Sequence, residues 1–184
     1  MPYSHLNDFP ADVRERAAKV RLVAFDVDGT LTDGRLGIDG NGVESKQFHV
    51  HDGQGLKLLR EAGIDVALIT ARAGTLVNMR AAELGVEHVF LGVADKLACI
   101  DGLIAQLGLT REQVAFMGDD LPDLAVLSVV GLGVAPANAH PWVRERVRWR
   151  TQAGGGNGAA RELCDLVLAA RGEADNVLRR YLCE

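Results

Sequence analysis

Two aspartates, Asp26 and Asp28, stand two residues apart directly after an apolar run at residues 22–25, and Gly29, Thr30 and Thr32 follow them. A buried strand does not ordinarily end in paired carboxylates, because buried charge is costly without a cation or a full set of hydrogen bonds. The arrangement recurs. Residues 65–69 lead into Thr70 and then Arg72, and residues 113–117 lead into Gly118, Asp119 and Asp120, with Asp123 close behind. Lys96 opens the segment that follows residues 88–91. One Asp after a strand is commonly a helix cap; three strands ending this way point to a shared site.

The chemistry open to such a set is narrow. Crowded carboxylates raise each other's pKa unless a cation compensates. Oxygen donors without a matched Cys/His set select Mg²⁺ over zinc. Lys96 offers a cation to a phosphoryl dianion and Thr70 a donor to one of its oxygens. One Asp can attack phosphorus and carry an aspartyl phosphate, while a second protonates the leaving oxygen and then deprotonates water. Phosphoryl transfer asks mainly for positioning and charge stabilisation.

The elements that must position these groups alternate along the chain. The patterning predicts a helix over 9–19, with Asp8 as cap and Pro10 in the first turn, and a strand over 21–26. A β-hairpin over 35–50 turns at Asp-Gly-Asn-Gly, and a helix over 54–62 ends at Gly63. A strand at 65–70, a helix at 74–84 and a short strand at 88–91 follow, then a helix at 95–107 and a strand at 113–120. The pattern closes with a helix at 121–128, a strand at 131–135, a short helix at 140–146, a strand at 147–150, and a helix at 159–171 with a frayed, charged tail. Strand–helix alternation implies a three-layer α/β fold, Rossmann-like, with a doubly wound parallel sheet whose ligands bind at the carboxyl ends of the strands. The 184 residues suit one domain, with a Gly-rich tail from 153 whose 153–158 stretch reads as a connector.

Composition excludes several classes. A net charge of −5 without a basic block argues against nucleic acid. No apolar run approaches the roughly 20 residues of a membrane span, and the N-terminus does not read as a signal peptide. Cys99, Cys164 and Cys183 are odd in number and widely spaced, as buried or inert thiols in a reducing cytosol would be. Met79, Met117, Trp142 and Trp149 read as packing residues.

The segments at 26–34 (DVDGTLTDG), 69–72 (ITAR) and 118–123 (GDDLPD), with Lys96, resemble in chain order the four motifs of the haloacid dehalogenase-like phosphatases. The resemblance implies Asp26 as nucleophile and Asp28 as acid/base. It implies Thr70 and Lys96 as phosphate-holding groups, and Mg²⁺ held by Asp26, the Asp28 carbonyl and Asp119. Asp120 and Asp123 then orient these ligands. Over residues 20 to 171 the chain is similar to the sugar-acid phosphatases that act on 3-deoxy-D-manno-octulosonate 8-phosphate in lipopolysaccharide precursor synthesis. That likeness implies substrate contacts at Asp28, His49, Val50, His51, Asp52, Gly53, Lys57, Thr70, Arg72, Arg80 and Lys96. His51, Lys57, Ala71 and Asn157 depart from the usual residues of that group, which leaves the sugar less determined than the reaction; a nine-carbon sugar-acid 9-phosphate is the enzymatic alternative. A signalling receiver domain also places Asp, Thr and Lys at strand ends, but its acidic pair comes first and its phosphoryl acceptor mid-chain.

Larger members of the resembled family carry a cap domain between motifs. Here Asp28 and Thr70 stand 42 positions apart and Thr70 and Lys96 stand 26 apart, too close for one. A capless site is open to water, which shielded phosphoryl transfer avoids. The expectation is a homo-oligomer, a tetramer by the resemblance. The hairpin, with Ile38, Val43, Phe48 and Val50, would then join subunits, and the 153–158 stretch would reach a neighbouring site.

Overall fold

The computed structural model describes residues 9–182. Six parallel strands form one sheet: β1 (Leu22–Phe25), β4 (Asp65–Ile69), β5 (His88–Phe90), β6 (Val114–Met117), β7 (Leu132–Ala135) and β8 (Trp149–Arg150), in the spatial order β5-β4-β1-β6-β7-β8. A separate antiparallel pair, β2 (Gly37–Ile38) with β3 (Glu44–Ser45), makes the hairpin. The sheet is sandwiched because its strands alternate. Val23 and Phe25 of β1 face a layer built by α1 (Ala11–Ala17), α2 (Val50–Glu61), α3 (Thr75–Leu84) and α7 (Ala159–Ala170). Leu22 and Ala24 face α4 (Lys96–Leu107), α5 (Leu124–Val129) and α6 (Pro141–Arg144). With both faces covered, the central strands are apolar at every position, as buried parallel strands should be. The three-layer, doubly wound fold is therefore as expected.

β1 is central and in register with both neighbours: Phe25 lies beside Leu68 on one side and Met117 on the other. The residues that follow β1, β4 and β6 therefore emerge at one edge, the rim where parallel sheets bind ligands.

Several boundaries differ from the expectation. α1 spans Ala11–Ala17 with Pro10 at its N-cap position; Asp8, expected as the cap, lies outside the described residues, as does Cys183. α2 begins at Val50, not 54, so residues 50–53 form a first helical turn, not a loop. Gly53 and Gly55 are poor helix formers, but they serve contact: a Cβ on Gly53 would overlap the Arg80 guanidinium, and one on Gly55 would come within 3.0 Å of the Cys164 side chain. The expected frayed tail is instead α8 (Ala174–Leu182), tied to α2 by Arg180–Glu61 at 2.9 Å and by Gln54 donating to the Tyr181 hydroxyl at 2.7 Å.

The 153–158 stretch is not a free connector. The Gly156 amide donates to the Thr30 carbonyl (3.0 Å) and the Gly155 amide to Asn138 Oδ1 (2.8 Å). A Cβ on Gly155 would overlap the Gly29 carbonyl. These glycines let the chain lie directly on its own nucleophile loop, which corrects the idea that they reach into a neighbouring subunit. Met79 and Trp142, expected to pack, are exposed, whereas Met117 is buried and Trp149 half-buried against Phe9. Phe48, expected to be exposed, is half-buried against the core under the Arg80 guanidinium, 5.7 Å from the ring centroid. Cys99 and Cys164 are free thiols. Among the described residues no helix is long and apolar enough to cross a membrane.

Candidate active site

Asp26 takes its place from β1, whose ladder continues through its own amide to the Met117 carbonyl at 2.9 Å. Lys96, at the first turn of α4, reaches across the rim. Its Nζ lies 2.6 Å from Asp26 Oδ1 and 2.6 Å from Asp123 Oδ1, and all three side chains are buried. Asp123 also shapes the loop after β6, because its Oδ2 accepts the amides of Asp119 (3.1 Å) and Asp120 (3.3 Å) and folds that loop into place. Thr70 is buried, its amide continues the β4–β5 ladder to the Phe90 carbonyl (3.0 Å), and its Oγ1 accepts the Arg72 amide (3.2 Å).

The turn after β1 depends on Gly29. Its φ is +92°, which favours glycine, and a Cβ there would overlap the Asp119 carboxylate. The loop after β6 thus rests its acid directly against the Cα of Gly29.

Asp26, Asp119 and Asp123 each offer an oxygen, and these atoms lie within 4.8 Å of one another. Asp123 is the poorest metal ligand of the three, because Lys96 takes one of its oxygens and two backbone amides the other. Asp119 Oδ1 and Asp28 Oδ2 are buried without a protein partner, and buried carboxylate oxygens left so are costly. Burial, then the Asp123 charge, pushes the Asp26 pKa up to about 6 against the pull of Lys96. Burial, then the Asp26 and Asp123 charges, pushes Asp119 up to about 8. Burial works against the Lys96 ammonium, but Asp26 and Asp123 outweigh it and hold its pKa above the ordinary value. A cluster of hard oxygens that resists ionisation by itself fits a small divalent cation and fits zinc poorly. The residues present therefore suit Mg²⁺.

Residues 92–163 match the haloacid dehalogenase-like hydrolase family. The 3-deoxy-D-manno-octulosonate 8-phosphate phosphatase KdsC of Escherichia coli K12 is 44% identical over 165 residues, 90% of this chain and 88% of that one. The chain belongs to the 3-deoxy-D-manno-octulosonate 8-phosphate phosphatase family. A hypothetical protein of Xanthomonas campestris has a solved structure 60% identical to it, with TM-score 0.95 over 98% of this chain and 99% of that one. The family's Moraxella catarrhalis phosphatase, solved in complex with magnesium, phosphate and a KDO molecule, is 38% identical with TM-score 0.92 over 94% and 99% of the two chains.

Among the substrate contacts that the family resemblance implied, the structure separates two groups. Asp28, Thr70, Arg72 and Lys96 stand at the rim; Arg72 is exposed and its guanidinium pairs with Glu44 at 2.9 Å. The 49–53 stretch is built otherwise. His49 is the N-cap of α2 and Val50 and His51 are exposed, the two imidazoles meeting edge to face. Asp52 is buried, and its carboxylate accepts the amides of Arg161 (2.8 Å) and Gly158 (3.3 Å), capping α7 from another helix. Burial pushes its pKa up, against those amides. Arg80 spans Glu83 (2.8 Å) and the His49 carbonyl (3.4 Å) through the space that Gly53 leaves. Asp52, Gly53 and Arg80 are thus occupied with the α2–α3–α7 contact. Lys57 is half-buried in α2, near enough to act on Glu83. Asp120 is exposed at the mouth of the loop.

Sequence reasoning passed over Lys46. It follows β3 in a hairpin of mostly exposed residues, yet its side chain is buried and its ammonium contacts the Asp28 carboxylate. A lone Lys in a polar hairpin, 18 residues from its partner, gives no local signal of such a contact.

Proposed function

We propose that this chain hydrolyses 3-deoxy-D-manno-octulosonate 8-phosphate to the free sugar acid and inorganic phosphate, and that Asp26 is its nucleophile. The observation that carries this reading is the convergence of Asp26, Asp119, Thr70 and Lys96 on one rim, in a chain of this family. A carboxylate oxygen of Asp26 attacks phosphorus, the bond from phosphorus to the sugar oxygen breaks, and Asp28 delivers its proton to that oxygen. Asp28 then takes a proton from water as the water attacks the phosphoryl group, and the bond to Asp26 breaks to free phosphate. Lys96 orients Asp26 and offers positive charge to the phosphoryl oxygens, with the Thr70 hydroxyl donating to one of them. Asp26, Asp119 and the Asp28 carbonyl would hold Mg²⁺, which would supply positive charge beyond that of Lys96.

Phosphate release from the eight-carbon substrate should vanish in chelator and return with Mg²⁺. Turnover as fast on a nine-carbon sugar-acid 9-phosphate would overturn the substrate assignment. Unfolding temperatures test the metal site independently. Asp26 and Asp119 have folded pKa values raised from 3.8 to about 6 and about 8. Their contribution to stability is therefore full below pH 3.8 and is lost as pH rises through those values. Mg²⁺ binds the ionised form, so its stabilisation should grow from about pH 5 to about pH 8; a pH-independent gain would count against these ligands.

The reading extends to assembly. Residues 1–184 act as one capless phosphatase domain, in the bacterial cytoplasm, as a homotetramer. Exposed Leu36, Ile38 and Val43 on the hairpin support subunit contacts there. Sedimentation at assay concentration should give an oligomer; an active monomer would refute it.

A further inference from the structure

Lys46 has no part in the mechanism above, but its surroundings give it one. Its side chain is 6% exposed on a hairpin whose neighbouring positions 45 and 47 are exposed. The ammonium contacts Asp28 Oδ1 and lies 3.3 Å from Glu44 Oε1, while Glu44 Oε2 accepts from Arg72 at 2.9 Å. The chain Asp28–Lys46–Glu44–Arg72 thus joins the loop after β1, the hairpin and the loop after β4. The other Asp28 oxygen, Oδ2, is buried and has no protein partner. One oxygen is clamped and the other is unpaired.

We infer that Lys46 is the positioning residue of the acid/base: it holds Asp28 by one oxygen so that the other faces the position where the leaving oxygen and then water must sit. This rests on the reading of Asp28 as acid/base. The physical need is definite. Asp28 stands on a turn, where both of its side-chain torsions are free to rotate, and proton transfer requires its oxygen within roughly 2.6–3.2 Å of the reacting group. A charge-assisted bond to a buried ammonium selects one orientation. Because the clamp comes from the hairpin, the acid/base is correctly set only while the hairpin is docked on the rim. The small insertion after β1 thereby does part of what a cap does in larger relatives.

The test compares Lys46→Met, Lys46→Arg, Asp28→Asn and Lys46→Met/Asp28→Asn in the full chain, on the eight-carbon substrate with Mg²⁺. Lys46→Met should lower kcat by roughly 10- to 100-fold with KM within about threefold, and Lys46→Arg should recover most of the loss. The double variant should be no slower than Asp28→Asn alone, because a clamp has nothing left to position. In rapid-quench runs, Lys46→Met should release the sugar in a burst ahead of phosphate, since water activation on phosphorylated Asp26 also needs Asp28. Should Lys46→Met fail to fold, Lys46→Gln takes its place in the same comparison. Wild-type kcat in the Lys46 variant, a loss confined to KM, or a loss that adds to that of Asp28→Asn overturns the inference. Wild-type kcat in Asp28→Asn would instead overturn the underlying acid/base reading.

Discussion

Asp26→Asn is expected to lower kcat by roughly 10⁴-fold or more while leaving the protein folded. An amide is a poor nucleophile, and no neighbouring carboxylate is placed to substitute. Asp123 is held by Lys96 and two backbone amides, and Asp28 by Lys46. The substitution is close to isosteric, and its amide oxygen still accepts from Lys96, so the rim keeps its shape. Stability should hold or rise in metal-free protein. Asp26, Asp119 and Asp123 crowd within 4.8 Å, and burial with the Asp123 charge already pushes Asp26 up to about 6. Above that pH its charge weighs against the folded state, so deleting it relieves repulsion with Asp119 and Asp123. Initial rates of phosphate release and thermal unfolding at about pH 8 check both halves. A variant within about tenfold of wild-type kcat would remove Asp26 from the nucleophile's place.

The readable part of this site is the part written locally. Asp26, Thr70 and Asp119 each follow a short apolar strand, and strand polarity alone sends them to one rim. The acids and their spacing stated the chemistry because few settings other than a cation site tolerate such crowding. The illegible part depends on contacts between distant segments. Asp52 caps α7 across 106 and 109 residues, so from one dimension it reads as a polar residue near a loop. Gly53 and Gly55 are poor helix formers, so propensity alone gives no reason for α2 to run through both. Only the neighbouring Arg80 and Cys164 explain why α2 accepts them. Gly155 and Gly156 carried the same ambiguity: a glycine run signals either freedom or close approach, and here it signals close approach. Lys46 escaped for the opposite reason, since nothing in its immediate neighbourhood distinguishes a clamped lysine from a solvated one.

Lys96→Met acts on the other end of the ion pair, and its stability should move in the opposite direction from that of Asp26→Asn. Methionine keeps the aliphatic stem and its packing but removes an ammonium that lies 2.6 Å from both Asp26 and Asp123 and is 4% exposed. Two buried carboxylates then face each other, with Asp119 alongside. Breaking a buried ion pair from one side costs roughly 3–5 kcal/mol, because the remaining charge is left uncompensated. The cost should depend on pH. Without Lys96 the one large influence lowering the Asp26 pKa is gone, so its folded value moves further above 3.8. A carboxyl raised in this way favours folding below its unfolded pKa and gives up that contribution as pH rises through the folded one. The variant should therefore lie near wild type at about pH 4 to 5 and fall progressively behind toward about pH 8. Turnover should drop by roughly 10²- to 10³-fold, through lost charge at the phosphoryl group and a less constrained Asp26. Adding Asp123→Asn should restore part of the stability and none of the rate. A stability deficit that ignores pH, or an unfolding temperature within about 2 °C of wild type at about pH 8, would mean that Lys96 is not the compensating charge. Large losses of rate in both variants with opposite shifts in stability, from two residues that share one hydrogen bond, are what separates a catalytic cluster from a salt bridge that merely holds the fold.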